Sequence, residues 1–351
     1  MKNLIRSGMH CNTVILIIAI GFIILPLNPL LAQIPAPDGS TRTVKNVNSI
    51  SIDQNNTKWF STREGIVSFD GETWILHNRQ KGLPKEDLKG LTHVANPEGS
   101  ELWIASPHGA TVTRLPVDPQ ENATTYTPEN TPLLSHQVLG IAAGKDSIRW
   151  IGTDKGVSAL SKDKWLAPDY DLYYTERMFS NYPITSMATN PTGDTLYVGT
   201  SGIGVARLYR DQLDGISGAS VYAQWGPIIL PSDNIQSIYV EPDGTKWFGT
   251  EAGVARHRGN NTLDNWTVYT TEEGLVENFV QAICKDNNGN LWFGTKAGIS
   301  VFNGSSWTTF TTEEGLSSNN ILSLATDRNG VVWIGTEAGI SSYENGKFIS
   351  Y

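Results

Sequence analysis

One aromatic-centred motif returns seven times, each copy divides into four strand-length pieces, and the composition is turn-rich. Together these observations predict an all-β fold, a seven-bladed β-propeller with four antiparallel strands per blade. The anchor aromatics are Trp59, Trp103, Trp150, Tyr197, Trp247, Trp292 and Trp333, spaced 44, 47, 47, 50, 45 and 41 residues apart. A period of roughly 40–50 residues belongs to propeller blades or helical solenoids. No copy has room for two helices of ten or more residues, which removes the solenoid. Thirty-four glycines and eleven tryptophans in 351 residues fit a chain of short strands and many turns.

The fifth copy shows the elements in order. IQSIYVE is apolar and alternating, and PDG turns the chain into KWFGT. EAG leads to GVARHR, and a longer turn leads to NWTVYTT. Each piece is rich in β-branched and aromatic residues and bounded by Gly, Asn or Asp. In the first strand a small residue recurs at Ser49, Gly90, Gly140, Ser186, Ser237, Ala282 and Ser323. A large apolar residue follows it at Ile50, Leu91, Ile141, Met187, Ile238, Ile283 and Leu324. Neighbours on a strand face opposite sides of the sheet, so both faces of each blade are expected to be buried. The small column then leaves space for bulky side chains of the next blade. Trp74, Trp165, Trp225, Trp266 and Trp307, with Phe348 in the last copy, fall in or near the fourth strand. A tryptophan that buries about 150–250 Å² contributes about 4–6 kcal/mol gross. Recurrence at one strand position assigns the stripe to packing rather than to sugar platforms.

Ahead of the repeats, Lys2 and Arg6 precede an apolar run from Val14 to Leu25, and Leu30-Leu31-Ala32 offers a small-residue cleavage point before Gln33. This is the layout of a secretory signal. Its run is shorter than the roughly twenty residues of a membrane span. The expected organisation is a signal peptide at 1–32, a leader at 33–44 and the propeller at 45–351. Blades are expected at about 47–87, 88–137, 138–183, 184–234, 235–279, 280–320 and 321–351. Copies two and four are padded, by LPVDPQENATTYTPENTPLLSHQ and RLYRDQLDGISGASVYAQWGPIILPSDN, which should form loops and lengthened outer strands. Loss of residues 1–32 removes two cations and no acid, taking the formal charge from −9 to −11. It also leaves Cys284 as the one cysteine, so no internal disulfide is expected despite export. A periplasmic or secreted monomer without a nucleic-acid partner is expected.

The unit φ-x-S-φ-x-x-D-x-x-G-x-x-W-φ-G-T-x-x-G-φ resembles the two-component regulator propeller repeat. ILSLATDRNGVVWIGTEAGI and VQAICKDNNGNLWFGTKAGI carry the resemblance best, and the linker TTEEGL at Thr270–Leu275 and Thr311–Leu316 is similar to that family's blade connection. Copies two and four are degenerate, as in Trp103-Ile104-Ala105-Ser106 and Tyr197-Val198-Gly199-Thr200. The resemblance implies a seven-bladed propeller of the periplasmic sensing type, with a membrane sensor kinase as partner. It also implies a glycan, another small ligand or an extracytoplasmic protein as what is bound. No kinase domain is expected within residues 1–351.

Strand parity locates a site. Loops from the second to the third strand, and from the fourth strand to the next blade, emerge on one face, called here the loop face. Around its central opening stand Arg63, Glu64, His108, Asp154, Lys155, Glu251, Lys296 and Glu337. Such a ring of mixed charge suits a ligand or partner, and equally a set of solvated turns. GTxxG lacks the following helix that a phosphate loop needs. Asp286-Asn287-Asn288-Gly289-Asn290 has no glutamate at the twelfth position of a calcium loop, so a hairpin is the better reading. No HExxH, CxxC or GxSxG pattern marks catalysis. No catalytic residue, metal or cofactor is therefore expected. The alternative function rests on His108 and His136: streptogramin-lyase propellers have similar repeats and use loop-face histidines with a metal. A structural scaffold in a secreted complex is the second alternative.

Overall fold

The computed structural model describes residues 33–35, 41–77, 82–84, 87–96, 99–118, 122–166, 179, 181–210, 216–223, 230–259 and 265–351. The expected signal segment and Trp225 lie outside these residues. Seven four-stranded antiparallel sheets follow one another as blades of a propeller. Blade 1 comprises Ser49–Ile52, Lys58–Thr62, Gly65–Phe69 and Trp74–Leu76. Blade 2 is Gly90–Asn96, Gly99–Ser106, Gly109–Leu115 and Thr124–Tyr126; blade 3 is Val138–Ala143, Ile148–Thr153, Gly156–Ser161 and Lys164–Leu166. Blade 4 is Ile184–Thr189, Thr195–Thr200, Val205–Arg210 and Ile216–Tyr222. Blade 5 is Ile235–Val240, Lys246–Thr250, Gly253–His257 and Trp266–Tyr269. Blade 6 is Val280–Lys285, Leu291–Thr295, Ile299–Phe302 and Trp307–Phe310; blade 7 is Ile321–Thr326, Val332–Thr336, Ile340–Glu344 and Lys347–Ser350. Residues expected as a leader form a small hairpin, Gln33–Pro35 with Thr41–Thr43, beside the outer strand of blade 1. The padding of copies two and four lengthens strands: the third strand of blade 2 has seven residues, against four in blade 6.

Buried apolar side chains fall into seven clusters, one for each pair of adjacent blades. Each cluster takes its anchor aromatic from one blade and the first two strands of the next. Trp247 of blade 5 packs with Val280, Ile283 and Phe293 of blade 6, and Trp292 of blade 6 packs with Ile321, Val332 and Ile334 of blade 7. Fourth-strand aromatics face the other way: Trp307 joins the cluster with blade 5 and Phe348 the cluster with blade 6.

The motif letters each have a packing or hydrogen-bonding job. The aspartate six residues before the anchor accepts its indole N–H, as Asp53 does from Trp59 at 3.1 Å, Asp286 from Trp292 at 2.9 Å and Asp327 from Trp333 at 3.0 Å. Glu241 does the same for Trp247 at 2.7 Å. Blade 3 has Gly144 at that position, and the indole nitrogen of Trp150 is buried without an acceptor. The hydroxyl that ends the second strand donates to the carbonyl that closes the next turn in all seven blades, for instance Thr295 to Gly298 at 2.8 Å. Gly298 itself stands at φ +128°, where a side chain would be strained. A Cβ on Gly335 would lie 2.6 Å from the carbonyl oxygen of Val47. That glycine and the facing small residue Ser323 thus make the room into which the next blade fits.

Closure of the ring uses side chains and two backbone bonds, not a shared strand. Val47 N donates to Thr336 O and Asn46 N to Glu337 O, both at 3.0 Å. Ser323 Oγ donates to Val47 O at 2.7 Å, and the ammonium of Lys58 lies 3.3 Å from Asp327 Oδ2.

Cys284 is fully enclosed in the interface of blades 6 and 7, where burial pushes its thiol up to about 12. At pH 8 the native chain is expected to leave Cys284 unalkylated by iodoacetamide in peptide mapping, and to expose it only on denaturation. Labelling of Cys284 at the rate of a free thiol under native conditions would contradict that placement.

Candidate functional site

In blades 3 to 7 the first strand meets the second with a bulge at the loop-face end. Register shifts fall between Val138 and Gly140, Ile184 and Ser186, Ile235 and Ser237, Val280 and Ala282, and Ile321 and Ser323. A bulge leaves one residue out of the ladder and re-aims its side chain. Gln281, bulged in blade 6, donates to Ile321 O at 2.8 Å and to Asn320 Oδ1 at 2.9 Å in the next linker. Asn48, at the same place in blade 1, donates to Leu88 O at 3.3 Å. The central mouth is therefore rimmed by bulged side chains and by the linker residues just before each first strand. The sequence reading missed these residues, although an amide directly before the small first-strand column was their signal at Asn48, Gln236 and Gln281.

Half of the expected ring of charge, four residues of eight, braces those linkers. Glu251 accepts from Asn234 Nδ2 at 2.9 Å, and Glu337 accepts from Asn320 Nδ2 at 2.9 Å. Glu64 Oε2 accepts the backbone N–H of Lys45 at 3.2 Å. Lys296 sets its ammonium 3.7 Å from the ring centre of Phe279, while its backbone N–H donates to Glu277 at 2.8 Å. Asp154 keeps a buried Oδ1 without a partner, and Lys155 beside it is exposed. None of the eight pairs with another of the eight among the described residues. His108 is exposed on the turn of blade 2, and His136 is hydrogen-bonded to Glu129 at 2.8 Å. Among the described residues no three His, Cys, Asp or Glu side chains come together as a metal set. The calcium-loop reading is closed by geometry, because Asp286 Oδ1 takes the backbone N–H groups of Asn288 and Asn290 at 2.9 and 2.8 Å.

Arg63 stands apart from this bracing. It lines a loop-face cavity of about 540 Å³ between blades 1 and 2, with Asn46, Asn48, Thr62, Asp87 and Leu88. Among the described residues its guanidinium has no ion pair, and the side chains of Asn46 and Asp87 make no hydrogen bond. Asn46 and Asp87 both sit in the left-handed region, at φ 50° and 53°, which the short polar side chains of Asn and Asp tolerate. The site offers a planar cation, an amide and a carboxylate at one opening.

A family model described as a two component regulator propeller matches residues 274–297 and 315–338. These are the TTEEGL-type linkers with the first halves of blades 6 and 7. No curated protein matches the chain. Among solved structures, the extracellular domain of a putative hybrid two component system from B. thetaiotaomicron aligns at 22% identity and a TM-score of 0.65. The alignment covers 87% of this chain and 39% of that one, so this chain spans well under half of its length. The WD40 β-propeller domain of Doa1 aligns at 14% identity and a TM-score of 0.61, covering 85% of this chain and 92% of that one. A catalytically inactive variant of virginiamycin B lyase from Staphylococcus aureus, with quinupristin, aligns at 12% identity and a TM-score of 0.59, covering 85% and 93%. At these identities the likeness is one of fold.

Proposed function

Because the chain carries two-component regulator propeller repeats, we propose that it is a recognition module of the extracytoplasmic sensor type rather than an enzyme. Residues 1–32 direct its export and are removed. At the loop-face mouth it binds a small ligand or an extracytoplasmic protein, and a membrane sensor kinase is the partner to which binding is reported. The observation that carries this reading is the cavity of about 540 Å³ at Arg63, whose guanidinium is left unpaired among the described residues. A guanidinium presents a rigid fork that matches carboxylate or phosphate oxygens with two parallel hydrogen bonds. With Asn46 and Asp87 alongside, it suits a ligand that joins an acidic group to hydrogen-bond donors, such as an acidic sugar. The sensor-type fold supports recognition as the task, and of the loop-face charges that brace no linker Arg63 is the one that lines this cavity. Thermal unfolding against acidic and neutral oligosaccharides tests this. A ligand at a hundred times its dissociation constant adds about 2.7 kcal/mol. A stabilising shift with an acidic sugar is expected. Turnover of any compound in the panel, or a shift that only divalent metal produces, would contradict the proposal.

A further inference from the structure

On the face opposite the mouth, the seven blade interfaces are not equivalent. A cation covers four of the anchor aromatics. Lys58 stands 5.3 Å from the ring centre of Trp333, Arg149 5.4 Å from Trp103, Arg256 5.6 Å from Trp247 and Lys246 5.9 Å from Tyr197. These cations come from two positions. One is the residue just before the anchor of the following blade, and the other is the third-strand partner of the anchor itself. Trp59, Trp150 and Trp292 have no cation at either position; Ser68 and Leu102 stand there for Trp59 and Ala159 and Leu196 for Trp150, while at Trp292 both are valines, Val332 before the anchor of blade 7 and Val301 paired with Trp292. Acids are paired in the same way elsewhere. Lys58 meets Asp327, Arg149 meets Glu101 and Lys285 meets Glu241 across their interfaces. The counterpart of Lys285 in blade 7 is Thr326, whose hydroxyl turns to the sulfur of Cys284.

Between blades 6 and 7 the space that a lysine or arginine fills at four of the other six interfaces is open, as a cavity of about 530 Å³. Its floor is Trp292, Val301, Val332 and Phe310. Its rim comes from both blades: Asn287 and Asn288 from one hairpin of blade 6, Asn329 from the matching hairpin of blade 7, and Tyr343 and Asn345 at the last hairpin. None of these five side chains donates or accepts a hydrogen bond within the described chain. Among the described residues no lysine or arginine lines the cavity, and Glu344 is its one acid without a hydrogen-bond partner.

We infer that this groove is a second binding site, distinct from the loop-face mouth, and that it takes a neutral, polyhydroxylated ligand the size of a small saccharide. Amides donate and accept together, which matches hydroxyl groups that do the same. The apolar floor suits the C–H face of a sugar ring, and the volume lies in the usual range for small-ligand pockets. An anion finds no cation there. The selectivity arises from a missing lysine rather than an added group.

Calorimetric titration of the full chain with maltose, cellobiose, lactose and sucrose tests this, with digalacturonic acid and the glucosamine disaccharide as charged controls. At least one neutral disaccharide is expected to bind with a dissociation constant below about 1 mM. The double variant Asn288→Ala/Asn329→Ala, altered only at exposed rim side chains, is expected to bind it about tenfold more weakly. Val332→Lys reproduces what Lys58 does over Trp333 and should abolish binding while the chain still unfolds near the wild-type midpoint. Failure of every neutral disaccharide to bind would overturn the inference, as would tighter binding of either charged one at this site. So would neutral binding that survives the double variant but is lost in Arg63→Ala, a result that would leave the loop-face proposal standing.

Discussion

Trp333→Ala is expected to cost about 3–5 kcal/mol of folding free energy, the usual range for removing a large buried aromatic. The reasons are local and topological. Trp333 is 3% exposed and gives its indole N–H to Asp327. It contacts Tyr351 in a stacked pair at 5.6 Å, and Phe60 and Trp74 of blade 1 edge-on at 5.8 and 6.4 Å. Five aromatic rings and the ammonium of Lys58 meet at this one interface. It is also the interface whose two blades lie at opposite ends of the repeat array, so no connecting linker holds them together. Equilibrium denaturation in urea, compared with Trp292→Ala, measures the effect. A loss below about 1 kcal/mol would contradict closure of the ring through Trp333.

Asp327→Ala is expected to be nearly as severe, about 3–5 kcal/mol, because it strands a buried cation. Asp327 and Lys58 are 1% and 5% exposed at their side chains. The carboxylate also takes the backbone N–H groups of Asn329 and Val331 at 2.9 and 3.0 Å. Asp286 has the same backbone and indole bonds but no lysine opposite it. Asp286→Ala therefore serves as the control, with an expected cost of about 1–3 kcal/mol from unsatisfied donors alone. Adding Lys58→Met to Asp327→Ala should recover a large part of the difference, since removing both charges ends the desolvation penalty. Equal costs for the two aspartates, with no rescue by Lys58→Met, would show that the ion pair does not hold blades 7 and 1 together.

Much of this fold was legible in the chain because each blade solves one packing problem with the same letters. The aspartate, tryptophan, glycine and threonine of the motif each serve a bond or a close approach that recurs around the ring, so the repeat is written into the sequence. The functional surface was far less legible. Charged residues such as Glu251, Glu337 and Lys296 stood out at the turns, yet they are occupied with Asn234, Asn320 and Phe279. Asn46, Asn48 and Asp87 did not stand out, because their place at the mouth depends on where the first strand begins and on left-handed backbone at Asn46 and Asp87 rather than on a motif. The groove between blades 6 and 7 was hidden for another reason. Val332 and Val301 look like ordinary strand residues, and they matter only because strand register places them where Lys58 and Arg256 stand in other blades. Departures from the motif carry information too, since Gly144 in place of an acid in blade 3 leaves the indole of Trp150 without an acceptor among the described residues.

We propose that the loop-face mouth recognises its ligand through Arg63. The most direct test is calorimetric titration of the wild-type chain and of Arg63→Ala with the ligand that gives the largest thermal shift. Arg63 is exposed and outside every blade cluster, so its removal should leave the unfolding midpoint unchanged. Binding weakened by about tenfold or more, at unchanged stability, is the result expected if the guanidinium holds the acidic group. Equal affinity in the two chains would contradict recognition at this mouth.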